Sequence, residues 1–281
     1  MKKSKLAHSL LEAMLYSFSM LIVAACLFSC DTDRLNDGGG SGRLRLSLAA
    51  DTTSLKKGIS SSTKANSVSG ELQQFLITAD YKIRIVQDKD TVKSYDRFDQ
   101  MPSEIELQEG AYTLVAYKGD DLPAAFENPY FEGSSDFTVK ADMSTPIDVT
   151  CTLGNARIMV DYTEDFKKMY SDYTTLLKTS FIGTNVEVLK TEIRPLYMQV
   201  KKDGTELQIF IKLRKVGETK DKTYEIPSTI KLERRQNIRL IFKTDGASNG
   251  IGLDIQLDDE LIKHTFEPVE IPDFMLPENK N

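Results

Sequence analysis

The chain has 281 residues, of which 40% are apolar and 28% charged, and its formal net charge is −6. These proportions are typical of a soluble folded protein with one large or two ordinary domains, and they exclude global disorder and a polytopic membrane protein. The acidic balance provides no basic face for a phosphate backbone, so nucleic acid is not an expected partner.

The first 29 residues have the pattern of a secretory signal peptide. Lys2, Lys3 and Lys5 precede an apolar stretch over residues 14–28. The alternative is an uncleaved membrane anchor, but the stretch is short for a span and no stop-transfer flank follows it. Removal of residues 1–29 takes away three Lys and one Glu, which moves the net charge from −6 to −8.

The end of this segment resembles the lipobox of bacterial lipoproteins, because the residues LFSC (27–30) are followed at once by Asp31 and Asp33. The resemblance implies that Cys30 is acylated, becomes the mature N-terminus and holds the protein on outer-membrane lipid; several acyl chains on one residue anchor a soluble domain firmly. Acidic residues just behind the lipidated Cys also resemble a surface-export signal. Cys26 is a second fit, but its use would leave Leu27 and Phe28 exposed beyond the anchor.

Residues 30–42 predict a flexible tether that includes the Gly-rich run DGGGSG. The run RLRLSL (43–48) alternates perfectly between Leu and polar residues, which predicts a half-buried strand. Residues 51–70 are rich in Ser and Thr and predict a long loop. The first strand is therefore separated in sequence from the rest of its sheet.

Short alternating runs over residues 43–153 predict an N-terminal β-sandwich. After the first strand, they cover residues 81–86, 91–95, 105–107, 112–117, 137–139 and 147–153. Turn residues 88–90 and 109–110 predict two hairpins. Cys151 lies in the last run, which favours a buried thiol over a reactive one. Gly154-Asn155 marks the predicted domain boundary.

Residues 154–281 predict a C-terminal β-sandwich. Strand patterns cover residues 157–162, 186–189, 196–200, 207–213, 238–242 and 253–257. Residues 202–204 predict a hairpin turn, and residues 163–170, with a Thr cap and apolar residues at helical spacing, predict one short helix. The predicted fold class is all-β, with two tandem antiparallel sandwiches, because parallel sheets need a helix for each crossover.

The candidate chemistry is sparse. His264 is the one His left after signal removal, so neither a zinc site nor a Ser-His-Asp triad is expected. The acidic pairs Asp88/Asp90, Asp120/Asp121 and Asp258/Asp259 fit weak calcium binding or solvated turns. A pair of catalytic carboxylates stays open, although the lack of Trp argues against a sugar-stacking cleft. The prediction is a protein that is not an enzyme and has no cofactor or metal.

Residues 123–133 concentrate three aromatic residues, Phe126, Tyr130 and Phe131, in a loop between strands. They form either a contact patch for a partner or glycan, or a loop folded back over the end of the sandwich.

The chain resembles the fimbrillin-related surface lipoproteins of fimbriated Gram-negative anaerobes, which include fimbrial anchor subunits, and an uncharacterised branch of them most of all. The resemblance covers most of residues 43–175. The residues that carry it are 81–86, 95–102, Leu107 with 110–112, 128–133 and 151–160.

The resemblance implies two transthyretin-like sandwiches and a non-enzymatic role as a fimbrial anchor, tip or adhesion subunit on the cell surface, with fimbrial subunits as partners through strand complementation. The alternative is a glycan-binding accessory lipoprotein of a polysaccharide-uptake system. In polymerising fimbrillins, cleavage in the loop after the first strand removes that strand, and Lys56, Lys57 and Lys64 offer such sites here. An anchor must keep the loop intact, so we expect an anchor, with a polymerising stalk as the alternative.

Overall fold

The computed structural model describes residues 39–54, 70–227, 230–245, 250–257, 260–264 and 269–271. The predicted signal peptide, Cys30, most of the tether, the three lysines of the long loop, and Asp258 with Asp259 lie outside these ranges.

The first half of the chain forms eight strands. They are β1 (Ser41–Asp51), β2 (Lys82–Gln87), β3 (Asp90–Tyr95), β4 (Ile105–Gln108), β5 (Gly110–Lys118), β6 (Ala124–Phe126), β7 (Phe131–Val139) and β8 (Ser144–Leu153). Two 3₁₀ helices, Gly70–Leu76 and Phe98–Gln100, lie between them.

The second half forms one α-helix and twelve strands within the described residues. The helix is α1 (Glu164–Met169). The strands are β9 (Asn155–Tyr162), β10 (Tyr170–Lys178), β11 (Val186–Leu189), β12 (Leu196–Gln199), β13 (Thr205–Glu206), β14 (Gln208–Lys215), β15 (Lys222–Ile226), β16 (Lys231–Leu232), β17 (Asn237–Asp245), β18 (Gly250–Leu257), β19 (Glu260–His264) and β20 (Val269–Ile271).

The first unit is a seven-stranded sheet with the order β3-β2-β5-β7-β8-β1-β4. The register of β7 with β8 covers only Phe131–Glu132 against Thr152–Leu153. The two parts of the sheet on either side of this short join bury their apolar faces in one core, which includes Leu44 of β1, Ile83 of β2 and Leu114 of β5. The sheet is therefore folded over on itself as a sandwich.

The second unit is a sandwich of two sheets. One has the order β11-β10-β14-β15-β20 and the other the order β19-β18-β17-β9-β12-β6, while β13 and β16 form a small separate pair. Their facing side chains, such as Ile158, Ile211 and Leu240, form a second core. The predicted all-β class, with two sandwiches, is confirmed.

The two units repeat one topology. In the first, β1 pairs in parallel with β8 and antiparallel with β4; in the second, β9 pairs in parallel with β17 and antiparallel with β12. The paired strands β2-β3 and β10-β11 likewise continue into β5-β7 and β14-β15. The two parallel pairs correct the expectation of antiparallel sheets. The two strands of each pair are connected through several intervening strands, and not through a single crossover helix.

One predicted hairpin is confirmed and two are wrong. Residues 88–90 do turn β2 into β3, with positive φ at Asp88 and Lys89 as a tight two-residue hairpin requires. By contrast, β4 pairs with β1 while β5 pairs with β2 and β7, so Gly110 links strands that are not partners. The turn at residues 202–204 leads from β12 to β13, and β12 and β14 lie in different sheets.

The predicted helix is confirmed as α1. Its Thr163 cap accepts a hydrogen bond from the backbone N–H of Phe166 at 3.4 Å. Phe166 is fully buried beneath the helix. The helix ends one residue earlier than predicted because Tyr170 already belongs to β10, a strand that the sequence analysis missed.

The predicted boundary lies where β8 ends and β9 begins, with Gly154 as the single residue between them. The backbone N–H of Gly154 donates to the carbonyl of Tyr130 at 2.7 Å. The strand β6, however, comes from residues before the boundary and pairs with β12 of the second unit. Independent folding of residues 43–153 and 154–281 stays a prediction.

Candidate functional site

The strand that follows the tether is central in its sheet. β1 lies between β8 and β4, and residues Arg43–Asp51 pair in parallel register with Ser144–Thr152. Leu44 is fully buried, and Leu46 and Leu48 pack partly buried against the same core. The predicted half-buried strand is therefore present, with its outward Arg45 paired to Glu104 beside β4.

The far end of β1 is fixed to the second unit by Arg235. Its guanidinium donates to the Asp51 carboxylate at 2.7 Å, to the Thr53 hydroxyl at 2.6 Å and to the Thr53 carbonyl at 3.0 Å. Partial burial acts to raise the pKa of Asp51, but hydrogen bonds from Thr53 and the charge of Arg235 outweigh it and lower that pKa below its usual value. This end of β1 therefore carries an ionised carboxylate at neutral pH.

Arg235 also has an uncommon backbone conformation. Its φ is +66°, a left-handed value that non-glycine residues adopt only when their surroundings hold them there. Its N–H donates to the carbonyl of Asn155 at 3.0 Å, next to the link between the units. The residue thus joins three segments: the end of β1, the start of β9 and the turn before β17.

A second polar contact crosses between the units at Glu71, in the first 3₁₀ helix. One oxygen of Glu71 accepts from Nε of Arg157 at 2.7 Å and from the hydroxyl of Tyr197 at 2.8 Å. The Arg157 side chain is only 10% exposed, and it also donates to the side-chain oxygen of Asn237 at 2.9 Å. Burial and the bond to Glu71 raise the pKa of Tyr197, so its hydroxyl stays protonated as a donor.

β12 lies between the two cores and contributes buried side chains to both. Leu196 and Met198 point into the core of the second unit, whereas Tyr197 points into the core of the first. On its outer edge β12 receives β6 from the first unit, and the side-chain amide of Gln199 donates to Asp121 at 2.9 Å beside this pairing. We call this shared region, defined by Asp51, Thr53, Glu71, Arg157, Tyr197 and Arg235, the junction.

The three residues predicted as a contact patch differ in their burial. Phe131 is fully buried in the core of the first unit, and Tyr130 is 5% exposed with its ring 6.3 Å from Tyr117. Neither offers a surface to a partner, so the patch interpretation is wrong for both and their loop instead packs into the fold. Phe126 is half-buried in β6, with the Arg194 guanidinium 5.2 Å from its ring centre.

The other candidate groups are also placed. Cys151 is fully buried, and burial raises the pKa of its thiol to about 12, as expected for a core residue. His264 is the last residue of β19. Among the residues that the structure describes, no group of three His, Cys, Asp or Glu side chains could hold a metal ion. The described helices include none long and apolar enough to cross a membrane.

Sequence reasoning missed the junction, although one signal for it is present. The run at residues 196–198 is apolar at three successive positions and does not alternate with polar residues. A strand with apolar residues on successive positions is buried on both faces. This pattern indicates that β12 is covered on both faces, as the structure shows, but it does not identify Glu71 or Arg235 as partners.

A family model described as "Domain of unknown function (DUF4493)" matches residues 40–273. The solved structures similar to this chain include a fimbrial assembly protein from Parabacteroides distasonis, with 10% identity, a TM-score of 0.43 and coverage of 80% of this chain and 98% of that one. They also include the fimbrial anchor protein Mfa2 from Porphyromonas gingivalis, with 12% identity, a TM-score of 0.37 and coverage of 80% and 100%. No curated protein matches the chain. The predicted resemblance to an uncharacterised family is confirmed by this family model.

Proposed function

This chain belongs to the DUF4493 family, whose domain is of unknown function. We propose that it is a non-enzymatic lipoprotein of the cell surface that serves as a fimbrial anchor. In this proposal Cys30 carries the lipid and the residues between Cys30 and β1 are the tether; Ser41 and Gly42, predicted as the end of the tether, instead lie in β1 and pair with β4. The two β-sandwich units stand off the outer membrane.

The position of β1 is the observation that carries the anchor role. An anchor has to keep an unbroken covalent path from its lipid into its fold. β1 begins directly after the tether, pairs on both sides and is bound at its far end by Arg235. Removal of β1 would unpair β8 and β4 together and would take the tether away with it.

The stalk alternative requires the opposite behaviour of the same strand. Cleavage after Lys56, Lys57 or Lys64 would leave β1 held only by its pairing and by the Arg235 contact. The fully buried Leu44 and the nine-residue register with β8 favour a strand that stays in place. An open groove in its place would expose apolar surface and unpaired backbone groups.

The experiment is cell fractionation with mass spectrometry of the mature N-terminus. We expect wild-type protein in the outer membrane with an acylated N-terminus at Cys30, and Cys30→Ser protein either released or stalled as a precursor. Cys26→Ser is the matched control and should behave like the wild type. A Cys30→Ser protein that is still processed and membrane-bound would overturn the anchor assignment.

The same spectra separate anchor from stalk. An intact N-terminus at Cys30 with residues 43–48 present supports the anchor, whereas a mature N-terminus after Lys56, Lys57 or Lys64 contradicts it. The partner is identified by a pull-down from crosslinked cells. Fimbrial subunits support the proposal, and recovery of a glycan importer instead would replace it with the accessory role in polysaccharide uptake.

A further inference from the structure

Tension on the tether would enter the fold along the axis of β1. The tether joins β1 at its N-terminal end, near Ser41. The chain leaves β8 at its C-terminal end, where Leu153 is followed by Gly154 and then by β9 of the second unit. Because β1 and β8 are parallel, these two points lie at opposite ends of the pair.

Opposite pulls at opposite ends of two parallel strands load the pair in shear. In shear, the hydrogen bonds along the whole register share the load and have to break together. When the same strands are pulled from one end, the bonds break one at a time. The register from Arg43–Ser144 to Asp51–Thr152 spans almost the full length of both strands, so the tether loads it in the more resistant direction.

The far end of β1 has its own connection to the second unit. Asp51 and Thr53 are bound by Arg235, whose backbone is in turn bonded to Asn155 at the start of β9. Tension on β1 therefore reaches the second unit by two routes, through β8 and through Arg235. The parallel pair β9–β17 then receives it at the N-terminal end of β9, in the same orientation.

We infer that β1 and β8, with the Arg235 contact, form a force-bearing clamp that carries tension from the tether directly to the second unit. This inference rests on the proposed membrane anchorage. It assigns a mechanical role to β1 and β8 and leaves β2, β3, β5 and most of β7 outside the load path. Those strands keep their structure while the tether is under tension.

Single-molecule force measurements on the mature chain, residues 30–281, made without lipid, test the clamp. One handle is attached at the Cys30 thiol; Cys151 is fully buried and does not compete in the folded protein. The second handle is attached through Thr150→Cys, near the C-terminal end of β8, or through Met143→Cys, just before its N-terminal end. Both positions are exposed.

The two attachments load the same strand pair in different directions. With Thr150→Cys the pair is sheared, and we expect rupture at a severalfold higher force than with Met143→Cys, where the pair is peeled, at equal loading rate. Forced rupture reports the barrier to unfolding rather than the equilibrium stability. Because both substitutions are at exposed positions, circular dichroism and thermal melting should be equal for the two proteins, and these measurements are the control for the fold. Equal rupture forces in the two directions would overturn the clamp.

Arg235→Ala tests the second route, with Arg234→Ala as the matched control, since the exposed Arg234 pairs with the half-buried Glu132 of β7 at 3.2 Å and not with the end of β1. With the second handle moved to Val216→Cys, an exposed position of the second unit, Arg235→Ala should lower the force at which β1 leaves, and Arg234→Ala should not. An unchanged force for Arg235→Ala would remove that contact from the clamp. Failure of acylation at Cys30 would defeat the proposed function yet leave these forces unaltered, so the two failures are distinguishable.

Discussion

Glu71 joins the two units through one carboxylate oxygen that accepts from both Arg157 and Tyr197. Since the Arg157 side chain is largely buried, removal of Glu71 leaves a cation and a hydroxyl without this acceptor. We expect Glu71→Ala to lower the free energy of unfolding by about 2 kcal/mol, as for other hydrogen bonds to charged groups.

Urea denaturation followed by circular dichroism measures this loss. Glu104→Ala is the control, because the partners of the Glu104 carboxylate, Arg43 and Arg45, are solvent-exposed, unlike Arg157, and ion pairs with exposed partners contribute little. A Glu71→Ala protein as stable as the control would show that the junction contact does not stabilise the fold.

Cys151 should be chemically silent in the folded protein. Burial raises the pKa of its thiol from 9.0 to about 12, so the thiolate needed for alkylation is scarce at neutral pH. We expect iodoacetamide to modify Cys151 only after denaturation, and the native protein to show no rise in labelling near pH 9. Mass spectrometry reads the result, and Met143→Cys, which adds a thiol at an exposed position, is the reactive control. Rapid native labelling would contradict the buried position.

Cys151, the junction and the aromatic loop differ in how far the sequence predicts them. Cys151 was predicted as a core thiol because the alternation around it is local. Arg157 and Glu71 are 86 positions apart, and their pairing depends on how the two units meet. For the same reason the aromatic loop gave two interpretations, and only the fold shows that Tyr130 and Phe131 point inward.

At the scale of elements, α1 closes one end of the second core through a single side chain. The ring of Phe166 lies 4.6 Å from that of Tyr170 and 5.4 Å from that of Tyr173, and it is fully buried. We expect Phe166→Ala to destabilise the protein by about 3–5 kcal/mol through the lost burial and the cavity left behind.

Thermal and urea melting of the full chain measure this effect. Lys167→Ala is the matched control on the same helix, because Lys167 is exposed and pairs with the exposed Glu164 one turn earlier. Equal melting curves for the two variants would mean that the second core does not depend on the helix.

The elements that were predicted correctly have local causes. The β2–β3 hairpin forms because residues 88 and 89 fit a two-residue turn and the alternating runs on both sides match. The turn at Glu109-Gly110 has similar residues, yet β4 and β5 pair with other strands. A turn residue shows that the chain changes direction, but it does not show whether the next strand pairs with the previous one. Strands as short as β6 and β13 depend on pairing with a neighbouring strand, and they are too short to show an alternating apolar pattern in the sequence.

At the scale of the whole molecule, the second unit depends on the first for one strand. Without residues before 154, β12 loses β6 from its edge and the ring of Tyr197 loses the core in which it lies. We expect residues 154–281 alone to be markedly less stable than the full chain, and to regain stability when residues 39–153 are supplied as a separate polypeptide.

Thermal melting of each half, of their mixture and of the full chain tests this dependence. A variant of the full chain in which residues 124–126 are replaced by Gly-Ser-Gly isolates the part due to β6. If residues 154–281 melt as the full chain does, the two units are independent domains and the boundary at Gly154 is sufficient.

The single residue between β8 and β9 has a geometric consequence for anything that binds the second unit. A β-carbon on Gly154 would lie 3.0 Å from the ring of Tyr130, so even this residue has little room to change. With no length of free chain there, and with the junction contacts beside it, the two units are held at a fixed separation. A ligand on the second unit would therefore lie at a constant distance from β1.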